Sequence, residues 1–511
     1  MTALFKNAIV ILMFLLVPAL SSGIDTPRKP VTPKASPEAA ALLDLFYNIS
    51  GKYLLTGQHN FPNIKDRNTK FAKEYTGETP VIFSTDWGFA KEDDKDSYLA
   101  RPEIVREAIR QYKLGSIITI CWHAVPPTAQ EPVTFQPARG ADPQKLASVQ
   151  GQLTDQQFRD ILTKGTPLYK SWCDQVDSVA VYLKKLQDAH VPVLWRPYHE
   201  MNGGWFWWGG RTGKYSTREL YRQIYDRLVK YHKLNNLIWV WSVDRPNKPE
   251  MYFSLYYPGD KYLDILALDV YGSDFKQEYY DSLVFLSNGK PLVLGEVGNP
   301  PSLEILSKQP KWSYWVIWSG MVRNTLKKQH RILNSDPRIL SLEDAAYREL
   351  VAPLRKVSGF EPLPEIKVIK PPLNLSGGWI FNEDKSTLDN SGAGNLPDKI
   401  YIVHDTNSVT VRKTYHPEDS EDRTTEDILL PGEENKSGSG NFVQTITMRM
   451  SENTDTMILD TKSTMKFGEQ VFNQSGNEKW YLQDRGRELV IKQSSDYFRS
   501  RRNLILVYDK E

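Results

Sequence analysis

The chain has 511 residues, of which 40% are hydrophobic and 25% are charged, and its formal net charge is +2. This composition excludes a wholly disordered, collagen-like or coiled-coil chain, and the small net charge argues against nucleic acid as a partner. The length predicts two or three domains, or one large barrel followed by a smaller module. The 14 Trp and 26 Tyr are unusual, because proteins this rich in Trp often use some of them as flat platforms for a ligand.

The N-terminus has the pattern of a secretory signal peptide. Lys6 precedes the apolar run AIVILMFLLVPAL, which ends at Leu20, and small residues follow at positions 21–23. The run is too short to cross a bilayer. We therefore predict a signal peptide over residues 1–23, a secreted or periplasmic protein, and no stable membrane insertion after cleavage; a short membrane anchor is the alternative.

Two proline-rich segments divide the rest of the chain. Residues 24–36 (IDTPRKPVTPKAS) predict a tether, and residues 359–372 (GFEPLPEIKVIKPP) predict a semi-rigid linker. These segments leave a body over residues 37–358 and a tail over residues 373–511.

The body alternates short apolar runs with stretches of helical period, which predicts a (β/α)8 barrel. The eight runs are 53–58, 81–86, 116–123, 191–199, 237–244, 265–271, 292–296 and 314–318. A doubly wound open sheet is the alternative. That fold usually has a glycine-rich phosphate turn after its first strand, whereas here the first run is followed by His59-Asn60 without such a motif.

The tail has short runs with partial alternation, separated by Gly, Asn and Asp, which predicts an antiparallel all-β module. Its opening, LSGGWIFNEDKST (375–387), resembles lipocalin-like modules of bacterial secreted proteins, and a carbohydrate-binding β-sandwich is the alternative. The tail contains only Trp379 and Trp480, so the sequence does not indicate an aromatic binding strip.

Two glutamates lie at the C-terminal ends of two different strands of the predicted barrel. Functional groups of such barrels lie at the C-terminal ends of the strands. The fourth run ends at Glu200 and the seventh at Glu296. Two facing carboxylates can hydrolyse a glycosidic bond, because one donates a proton while the other attacks or activates water. A solvated charge is the alternative for a lone Glu, but apolar strands surround both residues and make an unpaired carboxylate costly.

A loop of four bulky aromatic residues at positions 205–208, flanked by glycines, follows Glu200. We predict that it forms a sugar-binding platform, because the apolar faces of pyranose rings pack on aromatic rings. His199 and Glu200 could begin the zinc motif HExxH, but its fifth position is Gly203. Cys121 and Cys173 could form one disulfide or remain buried thiols, and no metal or organic cofactor is expected.

The segment WRPYHEMNGGWFWWGG (195–210) closely resembles the acid/base signature of glycoside hydrolase family 26, whose members are largely β-mannanases. LGEVG (294–298) is similar to the nucleophile strand of that family, and the resemblance covers about residues 37–358. It implies a (β/α)8 barrel and a retaining double displacement, with Glu200 as the acid/base and Glu296 as the nucleophile.

The resemblance also implies residues that surround the two carboxylates. Arg196 and His199 match positions that hydrogen-bond around them, and Tyr271 matches a tyrosine that hydrogen-bonds the nucleophile. We predict that all three belong to the substrate-binding site.

Three more substrate-binding residues follow from the same resemblance. His123 and Trp318 match residues of the −1 subsite, and Trp205 matches the aromatic residue beside the acid/base. A packed residue at the barrel mouth is the alternative for each. Asp86 is a candidate for contacting sugar hydroxyls and Asp244 for orienting Arg196 or Arg245, with a structural ion pair as the alternative for both.

These observations predict a secreted endo-β-1,4-mannanase that acts on β-mannan or a related polysaccharide. Two alternatives keep the family and change the substrate, to mixed-linkage β-1,3-1,4-glucan or to β-1,3-xylan. A third alternative is a polysaccharide-binding surface protein without enzymatic activity.

Overall fold

The computed structural model describes residues 28–91, 97–364, 373–389, 396–405, 407–416, 421–438, 440–452, 454–467, 470–497 and 500–511. It divides into two compact units, Met1–Glu365 and Ile366–Glu511. The predicted signal peptide lies outside the described residues. In the described part of the chain, no helix combines the length and the apolarity needed to cross a membrane.

Eight parallel strands close the first unit into a barrel, as predicted. They are β1 (Gly57–Asn60), β2 (Ile82–Asp86), β3 (Ile117–Trp122), β4 (Val193–Pro197), β5 (Leu237–Asp244), β6 (Ile265–Val270), β7 (Leu292–Val297) and β8 (Trp312–Ile317). Each strand pairs with the next in the chain, and β8 pairs back with β1 through Ile317 and Gln58. Two-residue strands at Leu54–Leu55 and Ile339–Leu340 extend the sheet beside β8.

α-Helices separate consecutive strands except between β5 and β6, where 3-10 turns take their place, and every barrel strand is buried along its whole length. The described α-helices are α1 (Pro37–Ile49), α2 (Arg67–Thr76), α3 (Arg101–Lys113), α4 (Asp155–Ile161), α5 (Pro167–Asp188), α6 (Thr217–Tyr225), α7 (Gln277–Ser287), α8 (Leu303–Lys308), α9 (Lys327–Asn334) and α10 (Ala345–Val357). A π-helical turn, Asp226–Tyr231, follows α6 directly. Parallel strands buried on both faces read as continuous apolar runs, which is why the strands stand out in the sequence.

Both proline-rich segments differ in part from their predicted role, because their described residues pack on the barrel unit. The Val31 amide donates to Asp264 Oδ1 at 2.7 Å, the Val31 carbonyl accepts from Tyr225 Oη at 2.6 Å, and Thr32 is 2% exposed. At the other end, Phe360 and Leu363 pack against the barrel core. Residues 28–36 and 359–364 therefore belong to the barrel unit rather than to a tether or a linker.

The second unit is one antiparallel sheet of ten strands, which confirms the predicted all-β module. Its strands are β9 (Gly377–Phe381), β10 (Lys399–His404), β11 (Val409–Tyr415), β12 (Arg423–Leu429), β13 (Glu434–Ser437), β14 (Phe442–Met450), β15 (Met457–Phe467), β16 (Gln470–Gln483), β17 (Glu488–Tyr497) and β18 (Ser500–Lys510). The order is β12-β11-β10-β9-β18-β17-β16-β15-β14-β13. Trp379 and Trp480 lie in its core and are 0% exposed.

Candidate active site

Seven of the eight predicted site residues line one cleft of about 400 Å³, beyond the C-terminal ends of the strands. These seven are His123, His199, Glu200, Trp205, Tyr271, Glu296 and Trp318. The eighth, Arg196, lies behind Glu296 and is 2% exposed. We therefore do not expect Arg196 to contact a substrate directly, although it was predicted as a substrate-binding residue.

A strained turn after β4 presents Glu200. Tyr198 and Glu200 both have left-handed backbone conformations, with φ of 52° and 50°. Residues other than glycine adopt this region at a cost and do so most often at functional sites. The turn is held because Trp172 Nε1 donates to Tyr198 Oη at 2.9 Å and the Gly203 amide donates to the Glu200 carbonyl at 2.9 Å.

A buried guanidinium holds Glu296. Arg196 donates to Glu296 Oε1, and it also donates to Asp269 Oδ2 at 2.9 Å and to Ser242 Oγ at 3.0 Å. Tyr271 Oη donates to Glu296 Oε2 at 2.6 Å. Asp269 is 0% and Glu296 3% exposed, so each carboxylate depends on these donors in place of water.

Asp244 was a candidate for orienting Arg196 or Arg245, and the structure pairs it with Arg245. Asp269 holds Arg196, whereas Asp244 lies at the cleft wall with its Oδ1 3.5 Å from Arg245 Nε. The sequence contained a signal for Asp269. It lies two positions before Tyr271, and residues two positions apart in a strand face the same side.

A β-bulge in β7 aligns Glu296 with Asp269. Leu268 pairs with Leu294 and Asp269 pairs with Glu296, so Gly295 has no partner across β6. A β-carbon at Gly295 would lie 2.6 Å from Asp269 Oδ1 and 3.3 Å from Arg196 Nη1. Because Gly295 has no side chain, the buried ion pair of Arg196 and Asp269 can lie directly against the backbone of β7.

Two buried histidines, His123 and His199, also line the cleft. His123 Nδ1 lies 2.8 Å from Asp86 Oδ2, and Asp86 is 2% exposed, so Asp86 makes the structural pair that was its alternative role. Asp86 also lines a smaller cavity of about 280 Å³, which shares His123 and Trp318 with the cleft. Burial would raise the pKa of Asp86, but the charge and hydrogen bond of His123 outweigh it and hold this pKa below its usual value. Burial, with His123 and Arg196 nearby, holds the pKa of His199 well below its usual value.

The predicted aromatic platform is smaller than expected. Trp207 and Trp208 are 0% exposed, and their indole nitrogens donate to the backbone carbonyls of Ala124 and His199 at 2.7 and 2.9 Å. Phe206 stacks on Trp208 with ring centroids 4.4 Å apart. It lines the cleft but is only 4% exposed. The loop folds inward because its indole N–H groups find backbone acceptors there.

Of the 14 Trp, all but Trp205 and Trp318 are buried, and both of these line the cleft. Trp205 Nε1 donates to Glu200 Oε2 at 2.6 Å. Trp318 stacks on His59 with centroids 3.7 Å apart, and burial lowers the pKa of His59 to about 3. The sequence analysis missed His59, whose signal was its position at the end of the first strand.

The electrostatics of the cleft separate the two glutamates. Burial raises the pKa of Glu200 well above its usual value, and the nearby carboxylates of Glu296 and Asp269 raise it further. Glu296 instead accepts hydrogen bonds from a guanidinium and a phenol. The site therefore combines a carboxyl group whose pKa is raised with a second carboxyl group held by fixed donors, which suits acid/base and nucleophilic roles.

Two clusters bring together side chains of the type that bind metals. One is Glu200, Asp269 and Glu296, and the other is Asp86, Cys121 and His123. In the first cluster, Arg196 supplies the positive charge between Asp269 and Glu296. In the second cluster, the side chains bond to one another, because His123 Nδ1 pairs with Asp86 and Cys121 Sγ lies 3.3 Å from Asp86 Oδ2. Cys121 and Cys173 are both free buried thiols.

The family model of glycosyl hydrolase family 26 matches residues 31–340. The chain belongs to this family. The predicted family membership is thereby confirmed, and the match contains the whole cleft described above.

Members of family 26 with solved structures share the fold. The chain is 40% identical to GH26A from Muricauda sp. MAR_2010_75, covering 61% of this chain and 98% of that one with a TM-score of 0.56. It is 25% identical to the GH26-CBM35 β-(1,4)-mannanase of Podospora anserina, covering 64% and 70% with a TM-score of 0.52.

A mannan endo-1,4-beta-mannosidase of Thermothelomyces thermophilus is 34% identical over 303 residues, which are 57% of each protein. Mannan endo-1,4-beta-mannosidase A of Piromyces sp is 28% identical over 306 residues, 57% of this chain and 45% of that protein. The chain thus spans about half the length of the curated relatives it matches.

Gly295→Ala tests the bulge in β7. We expect the new methyl group to displace Asp269 and Arg196 and so to misplace Glu296, which lowers kcat for glycoside hydrolysis about 100-fold. Gly320→Ala is the control, because a β-carbon at Gly320 has no atom within 4 Å. Equal kcat values in wild type and Gly295→Ala would contradict the role given to the bulge.

Trp205→Phe tests the hydrogen bond to Glu200. The indole N–H lowers the pKa of Glu200, whereas burial and the charge of Glu296 raise it by more. Its removal should raise that pKa, so the alkaline limb of the kcat/KM profile should move to higher pH. Trp318→Phe is the matched control, since Trp318 stacks on His59 instead; an alkaline limb that moves equally in both variants would refute the assignment.

Proposed function

We propose that this protein is a retaining endo-β-1,4-mannanase. The observation that carries the proposal is the pair of Glu200 and Glu296, whose closest carboxylate oxygens lie within 4.8 Å of each other. This spacing suits the carboxyl separation of about 5–5.5 Å in retaining glycosidases and leaves little room for the additional water that inversion requires at about 6.5–9.5 Å.

The mechanism has two steps on this geometry. Glu296, steadied by Arg196 and Tyr271, attacks the anomeric carbon, while Glu200 gives its proton to the departing glycosidic oxygen. In the second step Glu200, now ionised, removes a proton from water, and that water displaces Glu296 from the sugar. The raised pKa of Glu200 favours the protonated form that the first step requires.

Mannan is the favoured substrate because relatives named mannan endo-1,4-beta-mannosidase come from several organisms. The two half-buried indoles that line the cleft, Trp205 and Trp318, support binding of sugar rings there. The apolar run near the N-terminus supports secreted or periplasmic localisation, where such a polymer would be met.

A panel of polysaccharides tests the choice of substrate. We expect the protein to release oligosaccharides from mannan and glucomannan, with chains cut internally as judged by a rapid fall in viscosity. Faster hydrolysis of lichenan or of β-1,3-xylan would replace mannan by one of the other two substrates. Binding to mannan without release of reducing ends from any of the four polymers would favour the non-enzymatic alternative.

Substitution of the two glutamates tests their separate roles. Glu200→Ala should lose most activity on mannan but keep fast glycosylation by an activated aryl mannoside, because a good leaving group departs without a proton. Azide should then restore turnover and give a glycosyl azide with the configuration of the substrate.

Glu296→Ala should fail on both substrates, because no covalent intermediate can form. Azide that enters its cavity should give the opposite configuration. Burst kinetics and product stereochemistry are the measurements, and the same behaviour of both variants on the aryl mannoside would refute the assignment of roles.

A further inference from the structure

A second concave surface lies beside the catalytic cleft. It is a groove of about 730 Å³ between the segment that follows β5 and helix α7. We call it the α7 groove, and its lining includes Asn247, Tyr252, Glu278, Asp281, Ser282 and Phe285. None of them takes part in the mechanism described above.

The α7 groove presents aromatic rings to solvent. Phe285 is 85% exposed and Tyr252 is 57% exposed. Helix α7 buries Tyr279, Tyr280 and Leu283, and Phe285 lies about 200° around the helix from Leu283, away from that face. A phenylalanine this exposed adds nothing to the core, and exposed apolar surface next to a groove is typical of a ligand-binding surface.

Polar groups edge the same groove, and their charges nearly cancel. Asn247 and Ser282 provide neutral donors and acceptors, while Glu278, Asp281 and Lys248 also line the groove and together carry a formal charge of only −1. A polyanion would find no positive field here. A neutral polysaccharide fits, because its ring faces are apolar and its hydroxyl groups can donate to carboxylates and amides.

The α7 groove begins where the wall of the cleft ends. Asp244 and Arg245 line the cleft, and the next two residues, Pro246 and Asn247, line the groove. Arg245 is held at this boundary along the chain, because its Nη1 donates to the Tyr271 carbonyl at 2.6 Å. A polymer bound in the cleft therefore has a second surface for sugar rings immediately beyond Arg245.

We propose that the α7 groove is a second saccharide-binding site, which holds a further stretch of the β-mannan chain outside the catalytic cleft. The inference rests on the proposed function for the identity of the sugar. The groove raises the affinity for long chains and leaves the hydrolysis of short ones unchanged, because a short oligosaccharide fills the cleft alone.

Phe285→Ala and Tyr252→Ala in the full chain test the groove. The measurements are kcat/KM on mannan polymer and on β-1,4-mannotetraose, together with thermal unfolding. We expect about tenfold lower kcat/KM on the polymer, which corresponds to about 1.4 kcal/mol, and unchanged values on the tetraose. The matched control is Tyr231→Ala, since Tyr231 is 63% exposed but lies outside the groove.

The outcomes distinguish the two proposals. A polymer kcat/KM that matches wild type, an equal loss on polymer and tetraose, or the same loss in Tyr231→Ala would overturn the groove site while leaving the mannanase intact. A wild-type protein that cleaves neither polymer nor tetraose would overturn the proposed function. In that case, binding of the wild type and Phe285→Ala to insoluble mannan decides about the groove, and equal retention rejects it.

Discussion

A single buried cation organises the catalytic cleft. Arg196 is 2% exposed and can be kept there only because Asp269, Glu296 and Ser242 surround it with acceptors. The bulge in β7 and the bare backbone of Gly295 follow from the same need, since a regular strand or any side chain would push Asp269 away. In this way the buried charge of Arg196 fixes the direction of the Glu296 carboxylate, which lines the cleft.

Much of this arrangement could be predicted from the sequence, because strands buried on both faces leave unbroken apolar runs whose ends are easily found. Glu200 follows such a run and Glu296 ends one, and the barrel brings them together. Asp269 was not found, because its pairing with Glu296 depends on a bulge in β7. Register shifts depend on packing across neighbouring strands, and no local pattern in one strand encodes them.

The aromatic residues and the tail show the limits of local patterns in other ways. Trp207 and Trp208 were expected in the binding surface, but their indole N–H groups are satisfied by carbonyls that only the folded barrel brings near. In the second unit, β16 extends over Gln470–Gln483, whereas its sequence suggests a strand only near residues 479–482. Antiparallel neighbours satisfy the backbone of such polar stretches, so the strand continues beyond its apolar part.

The distribution of indoles has an optical consequence. Twelve of the 14 Trp are buried, and the two that are not, Trp205 and Trp318, both line one cleft. A small hydrophilic quencher such as iodide reaches only these two indoles. The fluorescence that it quenches therefore comes from the cleft, while the emission of the buried indoles stays constant. A sugar chain in the cleft would shield both rings at once, and the protein therefore carries its own fluorescent reporter of occupancy, without any added label.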